Sequence, residues 1–290
     1  MFLSDKNVGE MMKTDSKLEA PQLFYGTAWK ELQTQGHVLD ALRNGFRAID
    51  TANQRKHYFE EGVGAAIKIF LDESDVSRED LFIQSKFTFQ RGQDHRLPYD
   101  PSASITQQVE QSLESSLSHL GIEYLDSLIL HGPSSHQGIN DEDREAWKAM
   151  ESLVHQSLVK RIGLSNVSLE QLDLFYKEAS LKPQFVQNRC YAIQGWDKDI
   201  RKYCEAQSIA YQGFSLLTAN RSYLMSPLFQ EIARSHGRSI PQITYRFALD
   251  LGMIALTGTT QSQHQKEALN VLDFSLRHEE IEAIESIAIN

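Results

Sequence analysis

Short apolar runs alternate with longer stretches in which apolar residues recur every three or four positions, from one end of the chain to the other. The first pattern suits a buried strand and the second a helix with one covered face, so their alternation predicts βα units around a parallel sheet. The runs Leu23–Tyr25, Ala48–Asp50, Leu81–Lys86, Ser127–His131, Arg161–Ser165, Phe185–Asn188, Ile209–Phe214 and Met253–Leu256 read as strands. Between them, Ser104–Leu120 carries Ile105, Val109, Leu113, Leu117 and Leu120 on one helical face, and Glu60–Leu71 carries Val63, Ile67 and Phe70. Leu169–Ala179 reads as a helix opened by Ser168, with Gln171 three residues on as its capping partner. No stretch rich in proline, glycine or serine separates two halves, and no internal repeat appears beyond the alternation itself. Eight unbroken units predict one closed (β/α)8 TIM barrel over residues 21–290, preceded by a loosely held tail over residues 1 to about 20. A doubly wound open sheet would produce the same alternation.

In a barrel, working residues project from the carboxyl ends of the strands and the loops that follow. The second, third and fourth runs end in Asp50, Lys86 and His131, each after residues too apolar to foretell a charge. Singly, Asp50 reads equally as a cap or turn residue, Lys86 as a lysine reaching for solvent, and His131 as a structural histidine before Gly132–Pro133. Together they supply an ion pair and a proton-handling group at one mouth, which a catalytic site requires and a purely structural account does not.

Composition narrows the field. A length of 290 residues and a hydrophobic content of 41% allow a large core. The net charge of −10 and the lack of a basic run argue against nucleic acid as partner. Two cysteines, Cys190 and Cys204, are too few for a disulfide framework and fit a reducing compartment. No apolar run approaches the roughly 20 residues of a membrane span, and the first residues lack the apolar core of a secretion signal, so a cytoplasmic protein is expected. GxSxG, HExxH, GxxxxGK[ST] and GxGxxG motifs are all missing, and the ten histidines show no metal-ligand spacing. No metal is expected, and any dinucleotide must bind without a Rossmann phosphate loop.

Six segments in register resemble the aldo-keto reductase family: GTAWK from Gly26, GFRAIDTA from Gly45 followed by EEGVGAAI, FIQSK ending at Lys86, LGIEYLDSLILHGP, RIGLSN from Arg161, and KPQFVQN from Lys182. The resemblance implies an oxidoreductase that passes a hydride from NAD(P)H, NADPH ahead of NADH, to a small aldehyde or ketone. A tyrosine would donate the proton, Asp50 and Lys86 would tune it towards the phenolate, and His131 would orient the carbonyl. By the same resemblance Thr27, Asp50, Ser165, Asn166 and Gln187 would surround the nicotinamide, and Phe214 would stack on it. Ser215 and Leu217 would follow the pyrophosphate, and Thr259, Thr260, His264 and Glu267 would take the adenosine end. A monomer is the default.

The sequence departs from the family pattern at informative places. The family's tyrosine falls five residues after the aspartate, where Arg55 stands, and counting back from Val63–Gly64 reaches His57. Tyr58, the only tyrosine of that loop, is the expected proton donor, with His57 as second candidate. Gly258 replaces a lysine of the family's phosphate grip, His264 an arginine and Ala268 an asparagine. Gly132 stands where many members carry a bulky aromatic, so substrate selection would rest on the loop from Phe87 to Tyr99 or be broad. The tyrosine departure leaves open a cofactor-binding sensory or regulatory protein with little turnover, and Lys86 leaves open a Schiff-base lyase.

Overall fold

The computed structural model describes residues 20–288. Eight strands close into a barrel in chain order: β1 (Leu23–Gly26), β2 (Ala48–Asp50), β3 (Phe82–Phe87), β4 (Ser127–Leu130), β5 (Ile162–Ser165), β6 (Phe185–Arg189), β7 (Ala210–Phe214) and β8 (Ile254–Thr257). Each pairs in parallel with the next, and β8 pairs with β1, which selects the closed barrel over the open sheet. The strand ends lie within one residue of those read from the sequence. His131 falls just past β4, yet its N–H still donates to the Phe87 carbonyl at 2.9 Å.

The helices are α1 (Thr34–Asn44), α2 (Glu60–Glu73), α3 (Ile105–Leu120), α4 (Asp141–His155), α5 (Leu169–Glu178), α6 (Lys198–Ala206), α7 (Arg221–Leu224), α8 (Pro227–His236), α9 (Ile240–Asp250), α10 (Ser262–Leu269) and α11 (His278–Glu285). Ser104 and Ser168 cap α3 and α5, each through a reciprocal box with the glutamine three residues on. Among the described residues no helix is long and apolar enough to cross a membrane. The tail expected over residues 1 to about 20 lies, up to residue 19, outside the described residues.

Strand alternation sorts the core into two parts. Outward residues such as Tyr25, Ile49, Ile83, Leu128, Leu164 and Val186 pack against the helices in one large cluster. Inward residues Phe24, Ala48, Phe82, Ile129, Phe185 and Ile254 fill the barrel towards the amino ends of the strands, joined by Ala20. Gly163 is needed there: a Cβ would lie 2.6 Å from both Ile129 Cδ1 and the Phe185 carbonyl oxygen. One step further along each strand the inward layer becomes polar. Asp50 sits in register with Gln84, and Gln187 with Gln212. Cys190 and Cys204 are buried free thiols, both pushed up to about 12 by burial, as inert structural thiols should be.

Candidate active site

The polar layer at the carboxyl end of the barrel is a single connected network. Lys86 Nζ donates to both Asp50 oxygens at 2.7 Å and to the Thr51 carbonyl at 2.8 Å. Asp50 Oδ1 also accepts from Gln84 Nε2 at 2.7 Å and Gln187 Nε2 at 2.9 Å. Gln212 ties the two glutamines together, accepting from both and donating back to Gln84 at 3.0 Å. Asp50 and Lys86 are 3% and 1% exposed, so the pair lies in low dielectric where each added donor matters. Lys86 is therefore not the solvent-seeking strand-end lysine that the sequence allowed. A neutral residue there would leave the Asp50 charge buried without its cation.

Tyr58 meets this pair. Lys86 Nζ lies 5.2 Å from the centroid of its ring, and the His131 ring lies 6.0 Å away edge-on. The turn after β2 explains why Tyr58 and not its neighbour faces inward. The N–H groups of His57 and Tyr58 both donate to the Gln54 carbonyl, closing a tight turn. His57 is carried outward onto Trp29, their ring centroids 3.8 Å apart, and is fastened there by the Trp29 N–H to its carbonyl at 2.7 Å. Arg55, at the family's tyrosine position by count, is engaged elsewhere, pairing with Glu61 and contacting His119 Nε2 at 2.9 Å.

The electrostatics differ from the expectation that Lys86 would favour the phenolate. Burial, reinforced by the Asp50 charge, holds the Tyr58 phenol well above its ordinary range. The Lys86 ammonium is committed to Asp50, and desolvation is the largest cause of the shift. A protonated phenol is what a proton donor must be at neutral pH. His131 is pulled down to about 3, first by burial and then by the Lys86 and His57 charges, so its imidazole is neutral. Its Nδ1 shares a 2.7 Å hydrogen bond with Thr88 Oγ1, and its carbonyl accepts from Asn166 Nδ2 at 2.8 Å.

A cavity of about 370 Å³ runs from this centre towards β8, lined by Asp50, Tyr58, His131, Ser165, Gln187, Phe214, Ser215, Leu217 and Thr259 among others. It thus gathers most of the residues singled out in the sequence. Thr27 lies beneath, its hydroxyl bonded to the Asp50 carbonyl at 3.0 Å. Ser165 is anchored to the Gln187 carbonyl at 2.6 Å, while Asn166 borders a second cleft on the far side of His131. Thr260 and His264 are exposed, Glu267 is half-buried on α10, and none of the three lines the cavity.

Sequence reading missed Lys30, Gln84 and Gln212. Glutamine inside the otherwise apolar runs FIQSK and AYQGF was the available signal for two of them. Lys30 stands at the end of GTAWK, 6% exposed, with Nζ donating to the carbonyls of Gly26 at 2.8 Å and Gly258 at 3.0 Å. Among the described residues it has no carboxylate partner, and burial brings its ammonium down to about 8. A Cβ on Gly258 would lie 3.4 Å from Nζ. The strand-eight glycine thus makes room for a cation delivered from the β1 loop, facing the same cavity as Phe214 and Ser215. Among the described residues no cluster of His, Cys, Asp and Glu could hold a metal ion.

The family model described as aldo/keto reductase family matches residues 25–289. The chain belongs to that family. Among its aldo-keto reductase relatives, the uncharacterized oxidoreductase YtbE of Bacillus subtilis is 31% identical over 87% of this chain and 83% of its own. A glyoxal reductase of the same organism is 30% identical over 86% and 82%. A Bombyx mori aldo-keto reductase solved in complex with NADP superposes with a TM-score of 0.82 at 23% identity, covering 97% of this chain and 94% of its own, which bears on the fold. These relatives are oxidoreductases, and nothing in them favours the sensory alternative.

Proposed function

We propose that this aldo-keto reductase reduces an aldehyde or ketone with NADPH, using Tyr58 as the proton donor. One observation carries the reading: the Tyr58 ring lies 5.2 Å from the Lys86 ammonium and 6.0 Å from the His131 ring, and lines one cavity together with His131 and Phe214. The cofactor supplies the hydride. Phe214 offers a face for the nicotinamide, and Ser165 and Gln187 offer polar groups for its carboxamide. Lys30, with the Ser215 hydroxyl, offers charge and a donor for phosphate groups beside the glycine that replaced the family's lysine. A carbonyl oxygen between Tyr58 and His131 would accept a hydrogen bond from each. The hydrogen bond between His131 Nδ1 and Thr88 Oγ1 suits the tautomer in which Nδ1 accepts and Nε2 carries the hydrogen, which would then be offered to substrate. As the hydride arrives, the phenol proton passes to the developing alkoxide, and Lys86 steadies the resulting phenolate.

The test is fluorescence titration with NADPH and NADH, followed by decay of nicotinamide absorbance with a panel of aldehydes and ketones. Tighter binding of NADPH, with turnover, is expected. Binding without turnover across the panel, or no binding of either nucleotide, overturns the reading.

A further inference from the structure

The cleft on the far side of His131, about 200 Å³, is bordered by Gln54, Thr88, Arg91, Gly132 and Asn166 and shares His131 itself with the reaction cavity. A carbonyl held at His131 therefore has two directions in which its substituent can lie, towards Phe214 or into this cleft. The first is taken by the cofactor if the protein is the reductase proposed, and a role for the cleft in substrate binding rests on that reading.

Three features make the cleft more than a surface groove. First, Gly132 is not imposed by the backbone: its φ lies outside the left-handed region, and an added Cβ would meet Asn166 Cβ at 3.7 Å and the Ser165 carbonyl at 3.8 Å, ordinary contacts. What the glycine does is leave the cleft open beside His131. Second, the loop that carries Arg91 is fastened to the β2 loop from both sides. Gln54 Nε2 donates to the Gly92 carbonyl at 2.7 Å, and Gln93 Nε2 donates to the Asn53 carbonyl at 2.8 Å. Third, Arg91 is the only formal charge on the cleft lining, and among the described residues it makes no ion pair. The nearest acid in sequence, Asp94, is committed to Arg96 at 2.5 Å. Exposed and unpaired on a cleft that also borders His131, this cation is available to an anion.

We infer that this cleft binds the anionic end of the substrate, and that the preferred substrates are short aldehydes or ketones bearing a carboxylate, which Arg91 receives. A carboxylate is the matching group because one guanidinium presents a fork to two oxygens and cancels one charge. A phosphate dianion would leave charge uncompensated beside a neutral imidazole.

The test compares 4-oxobutanoate with its methyl ester as substrates of the intact protein and NADPH, at low and high sodium chloride. The acid should show about tenfold higher kcat/KM, mainly through KM, corresponding to about 1.4 kcal/mol. That preference should shrink in salt. In Arg91→Met the acid-to-ester ratio should fall to near one, and Gly132→Phe, which fills the cleft at a site with room for a side chain, should lower it independently. A ratio near one in the unmodified protein, or one unchanged in both variants, overturns the inference while leaving the reductase intact. Reduction of neither compound, nor of any carbonyl in the wider panel, overturns the reductase reading itself.

Discussion

The two ends of the main cavity are built on different principles. At the Tyr58 end, the Asp50–Lys86 pair is held by several partners: Asp50 accepts from Lys86, Gln84 and Gln187, and both glutamines are locked by Gln212. At the β8 end, a single lysine from the loop after β1 stands beside a glycine, bonded to two backbone carbonyls and, among the described residues, facing no carboxylate. Under the proposed function, the difference follows from what each end would do. Proton and hydride transfer depend on geometry to within fractions of an ångström. Attraction of a phosphate depends on charge, and a charge at the same point serves equally whichever strand delivers it.

This contrast can be broken or sharpened by substitution. Removing the proton donor should have the largest effect. Tyr58→Phe should lower kcat about 10²- to 10⁴-fold while leaving NADPH affinity near its original value, as steady-state kinetics and titration would show. His57→Phe, which changes a ring stacked on Trp29, should have a far smaller effect, and the reverse pattern would move the proton donor to His57. Next in size is Lys86→Met. Leaving Asp50 buried without its cation should lower stability by about 3–5 kcal/mol in urea unfolding, besides abolishing turnover. A stability loss below about 1 kcal/mol would mean that the glutamines alone can hold the carboxylate.

A smaller and graded effect comes from His131. Its folded value of about 3 lies below that of an unfolded histidine, 6.5, so between these the unfolded chain binds the extra proton. Its contribution is whole above pH 6.5 and is lost as pH falls towards 3, at a slope of about 1.4 kcal/mol per unit. His131→Gln should show a shallower fall than the parent over this window, and parallel curves would count against a neutral buried imidazole. The smallest expected effect is at the loosely built end. Lys30→Met should weaken NADPH binding about tenfold, roughly 1.4 kcal/mol, with kcat at saturating cofactor little changed. Because the free Lys30 ammonium loses its proton near pH 8, NADPH affinity of the parent should decline as pH rises through that value, and the variant should show a flatter dependence.

Much was legible in the chain alone. Strand boundaries came within one residue because a fully buried strand reads as an apolar run bounded by polar residues, and Ser168 with Gln171 announced the start of α5 through chemistry that is local. Asp50, Lys86 and His131 stood out because a charge or imidazole at the end of an apolar run has few purely structural reasons to be there. Other features depended on residues far apart in sequence. Counting along the β2 loop pointed to Arg55 or His57, whereas the turn closed on Gln54 and the stacking of His57 on Trp29 bring Tyr58 to Lys86. The direction of its pKa shift depended on burial and on the nearby Asp50 charge, neither of which spacing reports.

The sequence by itself determined the eight alternating strands and the three charged or imidazole groups at their ends, since hydrophobic periodicity and local capping are properties of neighbouring residues, while closure of the sheet into a barrel came from the pairing of β8 with β1. Only the tertiary structure decided which loop residue meets Lys86, that Gln84 and Gln212 complete the Asp50 network, and that Lys30 stands over Gly258. These are contacts between strands and loops separated by tens to hundreds of residues. A closed barrel turns such distant positions into neighbours by bringing every strand end to one mouth, and the chemistry of that mouth is set by what converges there.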